Sequence, residues 1–321
     1  MSKKVMSGVV ALLGVALALV VGAAAQGGAS DAKYLGPKLC IACHQGLHAA
    51  AVKGWQESPH ARAFWKIDES DATKKIVGDL AKAPFPKDQV AWVVGSGARS
   101  QAYLEKDFKV LPAEWVVKTS SWRMRDAADA KNECLGCHTT GYNPDAATWV
   151  ATGVACEMCH GPGSAHAGSS DKKGTIVRVQ ELAPDRAAMV CGRCHSQGMA
   201  KDGTHTFPIG FTPGDDLDSV FVLKQEVAKG AMNAQYNELR FGGGKHFSQG
   251  VVCTTCHDPH ATTSVAHELR EPVPQLCLNG KCHGGGKLKG PQHSEQALKA
   301  VTCTVCHMPN ESHAFVAPKP G

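Results

Sequence analysis

Residues 133–166 read ECLGCHTTGYNPDAATWVATGVACEMCHGPGSAH, and the organisation of the whole chain follows from them. They hold two Cys-x-x-Cys-His units, Cys134/Cys137/His138 and Cys156/Cys159/His160, with a further histidine, His166, six residues after the second. Positions i, i+3 and i+4 share one face of a helical turn. Two thiols and an imidazole at that spacing reach one porphyrin, the thiols as thioethers to its vinyl groups and the imidazole as an axial ligand of its iron. His166 lies past the turn Gly161-Pro162-Gly163. That turn carries it off the motif's face and leaves it available to a different iron.

The device recurs along all 321 residues. Each of the 14 cysteines falls into a pair whose second member is followed by histidine. The other units are Cys40/Cys43/His44, Cys191/Cys194/His195, Cys253/Cys256/His257, Cys277/Cys282/His283 and Cys303/Cys306/His307. Histidine is about 5% of the chain, so seven such placements by chance have odds on the order of one in a billion. A disulfide framework or zinc knuckles would also use paired cysteines, but neither calls for a histidine after every pair. Covalent haem c is the expected cofactor, six by CxxCH and a seventh by the CX4CH unit at Cys277. There the longer spacing needs a bulge or loop containing Asn279-Gly280 to bring both sulfurs to one ring.

Lys3 and Lys4 precede an uncharged apolar stretch, Gly8 to Val21, and Ala23-Ala24-Ala25 precedes Gln26. Residues 1–25 read as a cleaved signal peptide, too short in its apolar part for a retained anchor, so the protein is expected to be periplasmic, or extracellular. The chain carries +5. Losing two leader lysines and gaining two propionates per haem takes it to roughly −4 oxidised and −11 reduced. A nucleic-acid partner is therefore not expected, and no basic tract with interleaved aromatics supports one.

One haem per roughly 42 mature residues leaves too little polypeptide to enclose each porphyrin separately. The fold class expected is mainly α with long irregular loops and a small β-hairpin, its core made of stacked covalent haems. Gln89 to Val117, with apolar runs broken at Gly95-Ser96-Gly97, reads as that hairpin or a meander, and its Trp92, Tyr103 and Trp115 as packing residues. Residues 221–240 could hold a helix. The division expected is a tetrahaem domain at 26–200, a haem-free connecting segment at 201–245 and a trihaem region at 246–321.

Nine histidines lie outside the motifs, facing seven irons with an open axial position. Six stand out: His60 after the Ser58-Pro59 turn, His166, His260 after Pro259, and His246, His293 and His313 flanking the last three motifs. A seventh ligand is His48, His205 or His267, or one haem is five-coordinate. Methionine is the competing ligand and raises the potential. Met158 and Met308 fall inside or beside motifs, which favours bis-histidine iron at low potential.

YLGPKLCIACHQGLHAAAVKGWQESPHARAF at 34–64 and the stretch at 133–166 resemble multihaem cytochromes of the cytochrome c-554 type. CGRCHSQGMAKDGTHTFPIGFTPGDDL at 191–217 and HFSQGVVCTTCHDPHATTS at 246–264 resemble later segments of larger relatives. QHSEQALKAVTCTVCHMPNESH at 292–313 is similar to the last haem segment of this group and of pentahaem nitrite reductases. The resemblance is weakest at 66–88 and 218–235. It implies closely stacked haems in parallel and perpendicular pairs, and distal-ligand roles for His60, His166, His246, His260, His293 and His313. Three C-terminal haems and the CX4CH spacing depart from the four-haem pattern.

Single-electron transfer between redox partner proteins, either other cytochromes or a quinol-linked membrane complex, is the leading expectation. No catalytic residue is assigned. A reductase or oxidase of a small nitrogen or sulfur compound would need an open iron. The lysine-ligated CxxCK site of nitrite reductases is absent, and Arg99, Arg123, Arg125 and Tyr142 could line such a site. A third reading is a homo-oligomer or an extracellular filament. The intact mass of the purified protein is expected to exceed its polypeptide by seven haems, whereas an excess of six would remove the assignment of Cys277 and Cys282.

Overall fold

The computed structural model describes residues 31–68, 74–261, 266–284, 293, 294, 296 and 301–317. The leader read at residues 1–25 lies outside them. Two helices come first, α1 (Pro37–Leu47) and α2 (Ala49–Glu57). Pro37 occupies the first turn of α1, where its missing N–H removes no helical bond.

An antiparallel sheet follows, with strands in chain order: β1 (Phe64–Lys66), β2 (Trp92–Val94), β3 (Ser100–Leu104), β4 (Val110–Val116) and β5 (Ser121–Met124). The period-2 alternation of strand side chains explains why both faces are covered. Phe64, Val94, Ala102, Leu104 and Val110 point to one face and pack with Ala130 and Leu135. Trp65, Val93, Tyr103, Leu111 and Ala113 point to the other and pack with Phe85 and Val90 from the long β1–β2 connection. The register of β3 on β4 shifts between Ala102 and Leu104, leaving Leu111 to Ala113 bulged opposite Tyr103. Pro112 sits in that bulge, where a strand position without an N–H is tolerated, and its carbonyl accepts from Arg125 N at 2.9 Å.

This five-stranded meander is larger than the hairpin read at 89–117. Its inner strands carry the apolar signal. β1 is only three residues long and lies far upstream, and β5 is a mostly exposed edge strand with no apolar alternation, so neither announces itself locally.

Beyond the sheet the elements are short. They are α3 (Ala130–Glu133), α4 (Leu135–His138), the strand pair β6 (Thr139–Thr140) and β7 (Ala151–Thr152), α5 (Glu157–His160), α6 (Ser164–Gly168) and α7 (Pro184–Gly192). β8 (Gly198–Ala200) pairs with β9 (Phe221–Leu223). The helix expected at 221–240 is replaced by β9, then by α8 (Gln235–Asn237) and a π-helical turn at Glu238–Gly242. Gly230 and Asn233 adopt positive φ, 69° and 56°, which no continuous helix accommodates. The last helices are α9 (Lys245–Ser248), α10 (Cys253–Cys256), α11 (Gln275–Leu278) and α12 (Cys303–His307).

Residues 201–245 pack onto the motifs. Phe211, Leu217, Phe221 and Tyr236 form a third buried cluster with Ala188 and Met189 of α7. Phe207 lies so close over Gly136 that a Cβ there would meet its ring at 2.0 Å. Leu104 is fully buried. Leu104→Ala is expected to cost about 2–5 kcal/mol in denaturant unfolding, against a change within about 0.5 kcal/mol for Val222→Ala at the exposed position 222.

Candidate haem-binding sites

Each motif is a short helical turn closed by one recurring bond, from the histidine N–H back to the first cysteine's carbonyl. It measures 3.0 Å at His138 and His160, and 2.9 Å at His195 and His257. In the CX4CH unit His283 N donates to Cys277 O at 3.1 Å, so the bond survives two extra residues. Those residues are taken up by a turn after α11, where Cys282 N donates to Asn279 O at 3.0 Å and Asn279 Oδ1 accepts from Lys281 N. The longer spacing therefore places its histidine like the others.

The imidazoles are held for metal binding. Nδ1 lies against a backbone carbonyl in His138 (Ala63 O, 3.0 Å), His160 (Val177 O, 2.8 Å), His257 (His267 O, 2.8 Å) and His307 (Val316 O, 2.8 Å). The same holds outside the motifs for His166 (Lys172 O, 2.8 Å) and His313 (Glu311 O, 3.2 Å). A carbonyl only accepts, so Nδ1 carries the proton and the Nε2 lone pair is left for a metal. Burial lowers the pKa of His60, His138, His160, His257 and His313, and takes that of His195 to about 4. Neutral imidazole is the ligating form.

Two imidazoles on opposite sides of one iron, each bonded at about 2 Å, have ring centroids about 6 Å apart. Six pairs meet that distance: His44–His166, His160–His260, His246–His283 and His293–His307 at 6.0 Å, His60–His195 at 6.1 Å, and His257–His313 at 6.2 Å. Every pair joins one motif histidine to one of the six outside histidines singled out above. All 14 cysteines are free, and among the described residues no group of three or more His, Cys, Asp or Glu converges as a metal site. The arrangement thus lacks what a disulfide or zinc framework needs, and fits a planar group held between rings.

His138 is the exception: among the described residues no histidine ring pair at this spacing includes it. The three candidates for a seventh ligand are placed elsewhere. His48 stacks on His44 at 5.2 Å, one helical turn along. His205 Nδ1 binds Asp202 Oδ2 at 2.7 Å. His267 turns back at φ 62° and offers its carbonyl to His257. The second motif lies instead against the sheet, with Cys134 on the cluster that contains Phe64, Trp92, Phe108 and Trp149. Arg125 borders it, its charge felt at both Cys134 and His138. Tyr142 packs on the same cluster, its hydroxyl pushed up to about 12 by burial. Arg99 pairs with Glu311 at 2.5 Å, and Arg123 joins Arg125 on the buried Glu114.

Two positioning residues carry no sequence signal beyond an acidic residue near a motif. Glu157, inside the third motif and buried, accepts from Leu35 N, Gly36 N and Gly163 N at 2.8–3.1 Å. It ties the start of α1 to the turn that leads to His166. Glu238, also buried, accepts from Gly230 N, from Ser312 Oγ at 2.8 Å and from His313 N at 2.8 Å, and so fixes His313.

The family model "Cytochrome c554 and c-prime" matches residues 97–161, and a doubled CXXCH model matches residues 245–288. Cytochrome c-554 of Nitrosomonas europaea is 25% identical over 248 residues, 71% of this chain and 86% of that protein. The multihaem cytochrome MtrA of Shewanella baltica is 23% identical over 56% of this chain and 46% of its own length. Among solved structures, the outer cell wall cytochrome OcwA superposes with a TM-score of 0.68 at 20% identity, over 88% of this chain and 79% of OcwA. An undecahaem cytochrome from the S-layer of Carboxydothermus ferrireducens superposes with a TM-score of 0.55 at 19% identity, over 90% and 53%. Glu157→Ala would leave its backbone donors without their acceptor and is expected to cost on the order of 3 kcal/mol. Hydrogen exchange should show residues 33–57 opening first; unchanged protection there would show that Glu157 does not anchor them.

Proposed function

Because the chain is a multihaem c-type cytochrome of the cytochrome c-554 family, we propose that it passes single electrons between redox partner proteins along seven haems, six of them bis-histidine. The observation that carries this is the set of six imidazole pairs at 6.0–6.2 Å, each with one motif histidine. The seven cysteine pairs would hold the porphyrins, and His44, His138, His160, His195, His257, His283 and His307 would be proximal. His166, His260, His60, His313, His246 and His293 would be distal to the first, third, fourth, fifth, sixth and seventh motifs. Haem supplies a one-electron ferric/ferrous couple. The polypeptide's part is to hold the rings neutral and oriented, through the Nδ1–carbonyl bonds and burial described above. Export to the periplasm or beyond is supported by the leader at residues 1–25, and the tetrahaem and trihaem parts by the grouping of motifs. Among the described residues no helix is long and apolar enough to cross a membrane.

One observation favours a second reading. His138 has no imidazole opposite it, so the second motif's iron would be five-coordinate and open to a small nitrogen or sulfur compound, with Arg125 and Tyr142 nearby. Electron paramagnetic resonance of the oxidised protein is expected to show low-spin ferric haem together with one high-spin haem in seven. His166→Ala should add a second high-spin signal, whereas His205→Ala should add none. A purely low-spin wild-type spectrum would remove the open site, and an unchanged spectrum in His166→Ala would remove the ligation scheme.

A further inference from the structure

Contacts between cysteines of different motifs give an order to the series, because each cysteine sulfur would sit at a porphyrin's vinyl edge. Cys40 hydrogen-bonds Cys156, which joins the first motif to the third. Cys159 of the third faces Cys194 and Cys191 of the fourth. Cys191 hydrogen-bonds Cys253 of the fifth. Cys256 of the fifth faces Cys282 and Cys277 of the sixth, and Cys277 in turn meets Cys303 of the seventh. The second motif does not lie on this line. Cys137 hydrogen-bonds Cys194, with Cys137 Sγ 3.7 Å from Arg193 O and Cys194 Sγ 4.0 Å from Cys137 O. Among the described residues, Cys134 and Cys137 are close to thiols of no motif but their own and the fourth.

The histidine rings repeat this connectivity. His195 of the fourth motif lies near His138 of the second and His257 of the fifth, and His60 opposite it also neighbours His138. Exposure marks the ends of the line: the solvent-exposed cysteines are Cys43 in the first motif, Cys282 in the sixth and Cys306 in the seventh.

We infer that the fourth motif, Cys191/Cys194/His195, is a three-way junction, and that the second motif, Cys134/Cys137/His138, is a spur joined to the series there alone. Through-traffic runs from the first motif by the third, fourth, fifth and sixth to the seventh. An electron reaches the spur only by leaving the fourth haem for the second and returns the same way, so the spur stores or delivers electrons beside the line. Partners that are one-electron redox proteins dock at the exposed first motif or at the sixth and seventh. This rests on the electron-transfer reading above.

Two measurements on the holoprotein test it. A structure with its haems should show the fourth haem in contact with three others and the second with the fourth only; a second haem touching any further haem overturns the spur. Current through a monolayer of the reduced protein is then compared with and without carbon monoxide, which binds an open ferrous haem. A spur leaves the current changed by less than about twofold, and a tenfold fall would place the second haem on the through-path. Should carbon monoxide not bind, the open iron is lost and the haem-to-haem contacts alone decide the branching. A negligible current under both conditions would contradict the electron-transfer reading itself.

Discussion

The constraint on which the rest depends is the facing of histidines that are far apart in sequence. His44 and His166, or His60 and His195, come from different elements, yet their rings stand at the separation that one iron would span. Each such pair would act as a crosslink between remote segments. The entropy of closing a long loop rises only slowly with its length, so distant partners are as practical as near ones. Metal binding free energy then becomes folding free energy. This explains how a chain whose apolar residues gather in three modest clusters holds a defined shape.

The polypeptide's own contribution is concentrated where crosslinks are fewest. The second motif, whose histidine has no partner ring, is the one packed against the five-stranded sheet, with Phe207 pressed onto its Gly136. Where an imidazole pair does not define the geometry, apolar burial does. Elsewhere the supports are small and specific. Glu157 and Glu238 are buried carboxylates whose hydrogen bonds orient the segments that lead to His166 and His313. A buried charge persists only when it is so satisfied, which makes these two sites intolerant of change.

How much of this the residues reveal in advance depends on the range of the interaction. The motif turns are local, and the i to i+4 spacing specifies them, so Cys191 to His195 reads as one unit without any structure. The outside histidines are legible as a set because seven motifs leave few alternatives, but which ring faces which is a tertiary fact. Nothing near His166 points to His44. The sheet is visible only in its inner strands, and the short β1 and polar β5 are recruited by pairing with them. The strand β9 in place of a helix follows from pairing with β8, which no local propensity encodes. The absence of a ring opposite His138 is likewise invisible in sequence, since His48, His205 and His267 all remain eligible until Asp202 and the backbone are seen to hold them.

The central claim is that imidazole rings, and neither methionine nor cysteine sulfur, complete the six paired sites. Iron K-edge X-ray absorption of the oxidised protein tests it most directly, because sulfur scatters more strongly than nitrogen and lies farther from the metal. The account requires a first shell of nitrogen alone, with oxygen permitted only at the iron of the second motif. A sulfur shell amounting to one ligand per seven irons or more would contradict it.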